Sequence, residues 1–160
     1  MIVVSNTGPL IALSRIGQFD LLHSLYDQLY IPQAVQDEVV TSGQGRPGAE
    51  EVHTLAWIHT VKVYDTTAVH LLEERLDAGE SESIVLSIQL EANLLLIDEA
   101  RGRRVAEARG LNKTGTIGTL IAAKKRGFVS KVMPLVDNLR ASGFRMGEDL
   151  YQTCRTLAEE

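Results

Sequence analysis

Residues 1–13 read MIVVSNTGPLIAL, and the fold turns on how that stretch divides. Ile2 to Ser5 is a short, nearly continuous apolar run. A strand covered by helices on both faces is written this way, because neither of its sides meets water. From Pro9 to Ile16 the pattern becomes helical, so Ser5 and Asn6 are a polar break between a buried strand and a helix. An asparagine there suits a helix N-cap. It also places an amide at the carboxyl end of a buried strand.

The same alternation runs through the chain. LLLI, Leu94 to Ile97, is a second apolar run; QLYI, Gln28 to Ile31, and TVKVY, Thr60 to Tyr64, are weaker strands, and Asn112 to Thr114 adds a fifth. Helical patterns fill the intervals. They cover Asp20 to Tyr26, a helix begun by Pro32 at the first-turn position proline tolerates, and one capped by Thr67 that ends at Asp77 to Gly79. Others run from near Glu80 to Asn93, Ala100 to Arg109, Thr116 to Gly127, Lys131 to Ala141, and from Glu148 onward. TSGQGRPG, Thr41 to Gly48, is the clearest loop. Strands alternating with helices predict an α/β fold, a mostly parallel sheet of four or five strands with helices on both faces. At 160 residues the whole chain, 1–160, has the length of a single domain.

Composition narrows the function. The 44% hydrophobic and 23% charged fractions are those of an ordinary globular protein. No apolar run is long enough for a membrane span, and the amino end lacks a signal-peptide pattern, so a cytoplasmic location is expected. Cys154 stands alone, which precludes an internal disulfide, and no cysteine or histidine pairs have zinc spacing. The net charge of -5 speaks against binding nucleic acid through bulk charge. It hides an asymmetry, because Arg101 to Lys131 holds nine basic residues against one acid, Glu107. Such a stretch suits a phosphate-binding surface; it equally suits two solvated helix faces. Trp57 and the tyrosines do not interleave with it, so no base-stacking platform is indicated.

The acids fall into a pattern. In open parallel sheets ligands bind beyond the carboxyl ends of strands, where the strand order reverses. Asn6 and Asp98 each follow a central strand, so they share an edge if those strands are neighbours. Glu38 flanks the apolar stripe of IPQAVQDEVV, with Asp37 pointing further round the helix, and Glu80 and Glu82 open the helix GESESIVLSI. Acids in a first turn also have a plain role against the helix dipole. Carboxylate and amide oxygens gathered without histidine or thiolate suit a hard cation, Mg2+ or Mn2+. Such a site hydrolyses phosphodiesters, with Arg101 and Arg104 just past Asp98 placed to hold a phosphate backbone. TGTIG, Thr114 to Gly118, precedes a helix with Thr116 as its N-cap and offers free amides to a phosphate, although no P-loop lysine follows.

SNTGPLIAL, IPQAVQDEV, GESESIVLSI, LLLIDEARGRRVAEARGL and TGTIGTLIAAKKRG, in this order, resemble the PIN-domain superfamily of metal-dependent ribonucleases, in the toxin-type branch related to VapC. The resemblance implies an α/β/α sandwich and an acidic cluster that binds Mg2+ or Mn2+ and cleaves single-stranded RNA. By position, its catalytic and metal sites fall on Asn6, Glu38, Glu82 or its neighbour Glu80, and Asp98. Arg101, Arg104, Thr116 and Lys124 are the residues expected to meet RNA. It further implies a small antitoxin partner and a homodimer. Asn6 departs from the aspartate usual at that place, which leaves a second reading: a PIN-like module that binds RNA or protein without turnover.

Overall fold

The computed structural model describes residues 1–160. Its central strand is β1 (Val3–Ser5), flanked by β2 (Leu29–Pro32) and β4 (Leu94–Leu96), with β3 (Ile58–Val61) and β5 (Lys113–Thr114) at the edges. The order is β3-β2-β1-β4-β5 and every pair is parallel. The helices are α1 (Thr7–Arg15), α2 (Asp20–Tyr26), α3 (Gln33–Gln36), α4 (Ala49–Thr54), α5 (Thr66–Leu72), α6 (Ala78–Gln89), α7 (Ala100–Ala108), α8 (Thr116–Lys125), α9 (Met133–Ala141) and α10 (Glu148–Ala158). α3 continues into a π-helical turn, Asp37–Thr41.

Two cores, one on each face, make this an α/β/α fold. Successive residues of a strand point to opposite faces. Val3 and Leu96 accordingly join Leu10, Leu13, Leu120 and Leu139 of α1, α8 and α9, whereas Val4, Leu95 and Ile97 join Val69, Leu72, Ile84 and Ala106 of α5 to α7. Both faces of β1 and β4 are thus dry, which is why their sequences are apolar without alternation. No helix is long and apolar enough to cross a membrane.

Local chemistry moved several boundaries. β3 begins two residues before Thr60, because Leu29 of β2 pairs with Ile58, and it stops at Val61, because β2 ends opposite it at Pro32 and Lys62 to Tyr64 have no strand left to pair with. Pro32 closes β2 and occupies the N-cap of α3 rather than its first turn. Asp65, not Thr67, caps α5 by accepting the Ala68 N–H at 3.0 Å, since a carboxylate caps better than a residue already inside the turn. Asp77 starts α6 instead of ending the helix before it. Gly115, not Thr116, is the N-cap of α8. α4 was not expected, being six residues long and too short to show apolar periodicity.

Candidate active site

The chain leaves β1 toward β2 and β3, then returns to β4 on the other side and moves outward to β5. Strand order therefore reverses between β1 and β4, whose carboxyl ends are in register, with Ser5 beside Leu96. At such a reversal the two following connections diverge, and there open parallel sheets bind their ligands. Asn6 and Asp98 stand at its two sides, and the Asn6 N–H donates to the Leu96 carbonyl at 2.9 Å.

Asn6 occupies the N-cap of α1 with extended backbone, yet its side chain makes no capping hydrogen bond. Its Oδ1 is buried and has no partner at all, a condition shared only with the Ser81 hydroxyl. A buried oxygen left so costs about 1–3 kcal/mol unless something occupies its lone pairs. The capping role that explains most asparagines in this position is absent.

What that oxygen faces is acidic. A Cβ placed on Gly79 would lie 3.0 Å from Glu38 Oε2, 3.2 Å from Asn6 Oδ1 and 3.6 Å from Asp77 Oδ1. Three acceptor oxygens border one small space that only a glycine keeps open. The Thr7 hydroxyl donates to Glu38 Oε2 at 2.9 Å, and no donor reaches Asn6 Oδ1. Acceptors brought together repel unless a cation lies among them, and an all-oxygen set without sulfur or imidazole suits a hard divalent ion. The residues fit such an ion. Glu38 reaches this space from the π-helical turn Asp37–Thr41, while its neighbour Asp37 accepts from Gln33 Nε2 at 2.8 Å on the exposed side.

Asp77 is the residue that sequence reasoning missed. It accepts the Glu80 N–H at 2.8 Å, and Glu80 Oε1 accepts the Asp77 N–H at 3.2 Å, which closes a capping box. The signal was present, an aspartate three residues before a glutamate at the head of an apolar run. Glu80 is buried, and burial, together with the nearby Asp77 and Glu99 charges, pushes its carboxyl up to about 7 despite the stabilising Asp77 N–H. Its Oε2 lies 3.0 Å from where a Cβ on Gly102 would sit, so α7 is packed directly against it. Glu82 faces elsewhere: its Oε1 accepts the Ala34 N–H at 3.1 Å, in the first turn of α3. Pro32 offers that helix no side-chain oxygen, and Glu82 supplies it from α6.

Asp98 is held by α8. Thr116 donates its backbone N–H to Oδ1 and its hydroxyl to Oδ2, both at 2.7 Å. Burial raises the Asp98 pKa against these two bonds and the Arg103 charge. Gly8 and Gly115 give it room, since Cβ atoms there would stand 3.3 Å from Oδ2 and 2.6 Å from Oδ1. No three Asp, Glu, His or Cys side chains converge closely enough to hold an ion by themselves. The innermost donor is an amide.

The basic stretch does not form one face. Arg101 is exposed and donates to the Arg75 carbonyl at 3.1 Å, and Arg104 is exposed beside it. Arg103 donates to the Ile97 carbonyl at 3.0 Å, Lys113 pairs with Glu107 at 3.3 Å, and Arg126 donates to the Leu25 carbonyl at 2.7 Å. Lys124 donates to the Ala158 carbonyl and to Glu160, the latter at 2.9 Å, so its charge is spent on the layer formed by α8 and α10. Thr116 is fully buried and positions Asp98; with its N–H used there, the head of α8 offers no free amide cradle at that residue.

A family model described as a PIN domain matches residues 2–160, nearly the full chain. A comparison with curated proteins gives no match.

Proposed function

The chain belongs to the PIN-domain family, and from that premise we propose that it is a divalent-metal-dependent endoribonuclease acting on single-stranded RNA. PIN domains are generally nucleases, and the observation that carries the reading here is the partnerless Oδ1 of Asn6, turned toward Glu38 and Asp77 at Gly79. Asn6, Glu38 and Asp77, whose oxygens border the space at Gly79, are the residues that would hold the ion, with Asp98 at the end of the neighbouring strand, and oxygen donors favour Mg2+ or Mn2+. Bound there, such an ion supplies positive charge to the scissile phosphate and a lowered pKa to an attacking water.

The chain's own groups do the rest. Thr116 fixes the Asp98 carboxylate. Glu80, poised at about 7, holds or releases a proton on its carboxyl near neutral pH. Asn6 contributes an oxygen without charge, so the site carries one carboxylate fewer than an aspartate there would give.

The toxin role, with a small antitoxin and a homodimer as partners, belongs to the same proposal and rests on SNTGPLIAL, GESESIVLSI and the other stretches quoted above. A short reading frame for an antitoxin beside this gene is its simplest check.

One observation favours a second reading, in which the fold binds RNA or protein without turnover: the residue at the carboxyl end of β1 is Asn6, a neutral amide, where an aspartate is usual. Incubation of a single-stranded RNA with Mn2+ and the purified protein separates the two. Cleavage that needs the metal and disappears in Asp98→Ala supports the nuclease. Cleavage that the variant retains, or none in the parent, sinks it.

A further inference from the structure

Arg75, Arg101, Arg104 and Arg109 line one groove of about 480 Å3 on the outer face of α7. None of the four forms an ion pair within 4.0 Å, although Glu74 borders the same groove and the molecule as a whole carries a net charge of -5. Four exposed guanidinium groups with one carboxylate, Glu74, among them leave this surface net positive, which favours an anion from outside. Arginine in place of lysine also matters. Its planar fork grips phosphate oxygens in pairs, and it is less costly to strip of water than an ammonium.

The groove begins beside the segments that carry the site residues. Arg75 lies two residues before Asp77, Arg101 lies three after Asp98, and the Arg101 Nη1 donates to the Arg75 carbonyl, which joins the heads of α6 and α7. From there it follows α7 to Arg109, roughly 12 Å at the helical rise of 1.5 Å per residue. Its remaining lining is Val105 and Ala108, without an aromatic ring. A floor of that kind leaves stacking to the guanidinium planes, which take any base alike.

We propose that this groove is a backbone track, which holds successive phosphates of the single strand leaving the active site and reads no bases. The identity of the strand as RNA rests on the ribonuclease reading above; the groove's affinity for a single-stranded polyanion does not. Arg75 and Arg109 thereby join Arg101 and Arg104, while Lys124 has no part in it.

The test is binding, measured apart from cleavage. Fluorescence anisotropy of labelled oligouridylate and oligoadenylate, with the full-length Asp98→Ala protein and no divalent metal, gives affinity as a function of salt. Arg104 and Arg109 are exposed and their side chains make no hydrogen bond, so replacing both with alanine leaves the unfolding midpoint in place. The expected result is a loss of about tenfold or more in affinity and a salt slope shallower by roughly 1.4, the value for two phosphate contacts on a single strand. Lys124→Ala is expected to change neither, and the two oligonucleotides are expected to bind alike. An unchanged affinity and slope in the double variant overturns the proposal. So does a strong base preference that the two arginines carry, or a groove that takes a glutamate-rich peptide in preference to RNA. Cleavage by the parent with an unaltered salt slope removes the track and keeps the nuclease; binding through these arginines without cleavage does the reverse.

Discussion

Thr116 donates twice to Asp98, from its backbone N–H and from its hydroxyl, each at 2.7 Å. The carboxylate at the end of β4 is therefore fixed to the first turn of α8 before any ligand arrives. A side chain held by packing needs no reorganisation on binding, which is the usual requirement of a site that must present charge in one place.

Thr116→Val keeps the shape and the backbone bond and removes the hydroxyl. A loss of about 1–2 kcal/mol in stability is expected from one charge-assisted bond, together with slower RNA cleavage. Urea unfolding and a cleavage time course check both. Unchanged values in the two assays leave Thr116 without the positioning role.

Asn6→Asp adds a carboxylate beside Glu38 and Asp77. Without metal the variant is expected to be less stable, by about 1–3 kcal/mol, because a buried acid among acids resists ionisation. With Mn2+ the order reverses and its melting temperature rises more than that of the parent. A thermal shift no larger than the parent's places the ion somewhere else.

Gly79→Ala tests the space itself. Alanine is the better helix former by about 1 kcal/mol in a helix interior, but here its Cβ crowds two oxygens at the head of α6, so the apo protein is expected to lose about 1–3 kcal/mol. Its Cβ, at 3.0 Å from Glu38 Oε2 and 3.2 Å from Asn6 Oδ1, fills the gap between the donors, and the thermal response to Mn2+ is expected to vanish. A full response in this variant removes Gly79 from the site.

Glu80 gives a pH dependence with a definite sign. Its carboxyl sits at about 7 in the fold, mainly through burial, against 4.5 for an ordinary glutamate. Between these values the unfolded chain releases its proton and the folded one keeps it. The apo protein is thus expected to lose stability as pH rises from about 4.5 to about 7, by something on the order of 2 kcal/mol once partial solvation is allowed for, and to change no further above. Glu80→Gln retains the capping box, since glutamine serves in that position, and flattens this limb. Urea midpoints at pH 5 and pH 8 decide it; equal slopes in parent and variant rule Glu80 out as the source.

Much of the fold was legible in the chain. Ile2 to Ser5 and Leu94 to Ile97 read as strands buried on both faces because each side chain of β1 and β4 does meet a hydrophobic layer. The alternation of such runs with helical stretches led to a parallel sheet, and Asn6 and Asp98 could be set at its carboxyl edge from position alone. Short elements were not legible. α4 and the register of β3 depend on partners distant in sequence, and local periodicity carries no information about where a partner strand stops.

What the sequence by itself determined about this protein is the order of its strands and helices and the oxygen-rich chemistry of its crevice, since both follow from residue type and spacing. Only the tertiary structure decided which oxygens face one another. It turned Glu82 to the head of α3 and brought in Asp77 through a capping box. It also scattered the basic run, pairing Lys124 with Glu160 and drawing Arg75 in from another segment to complete the groove of α7. The physical reason is direction: spacing along a chain fixes which side of a helix a charge leaves from, but packing against a second element fixes what it meets.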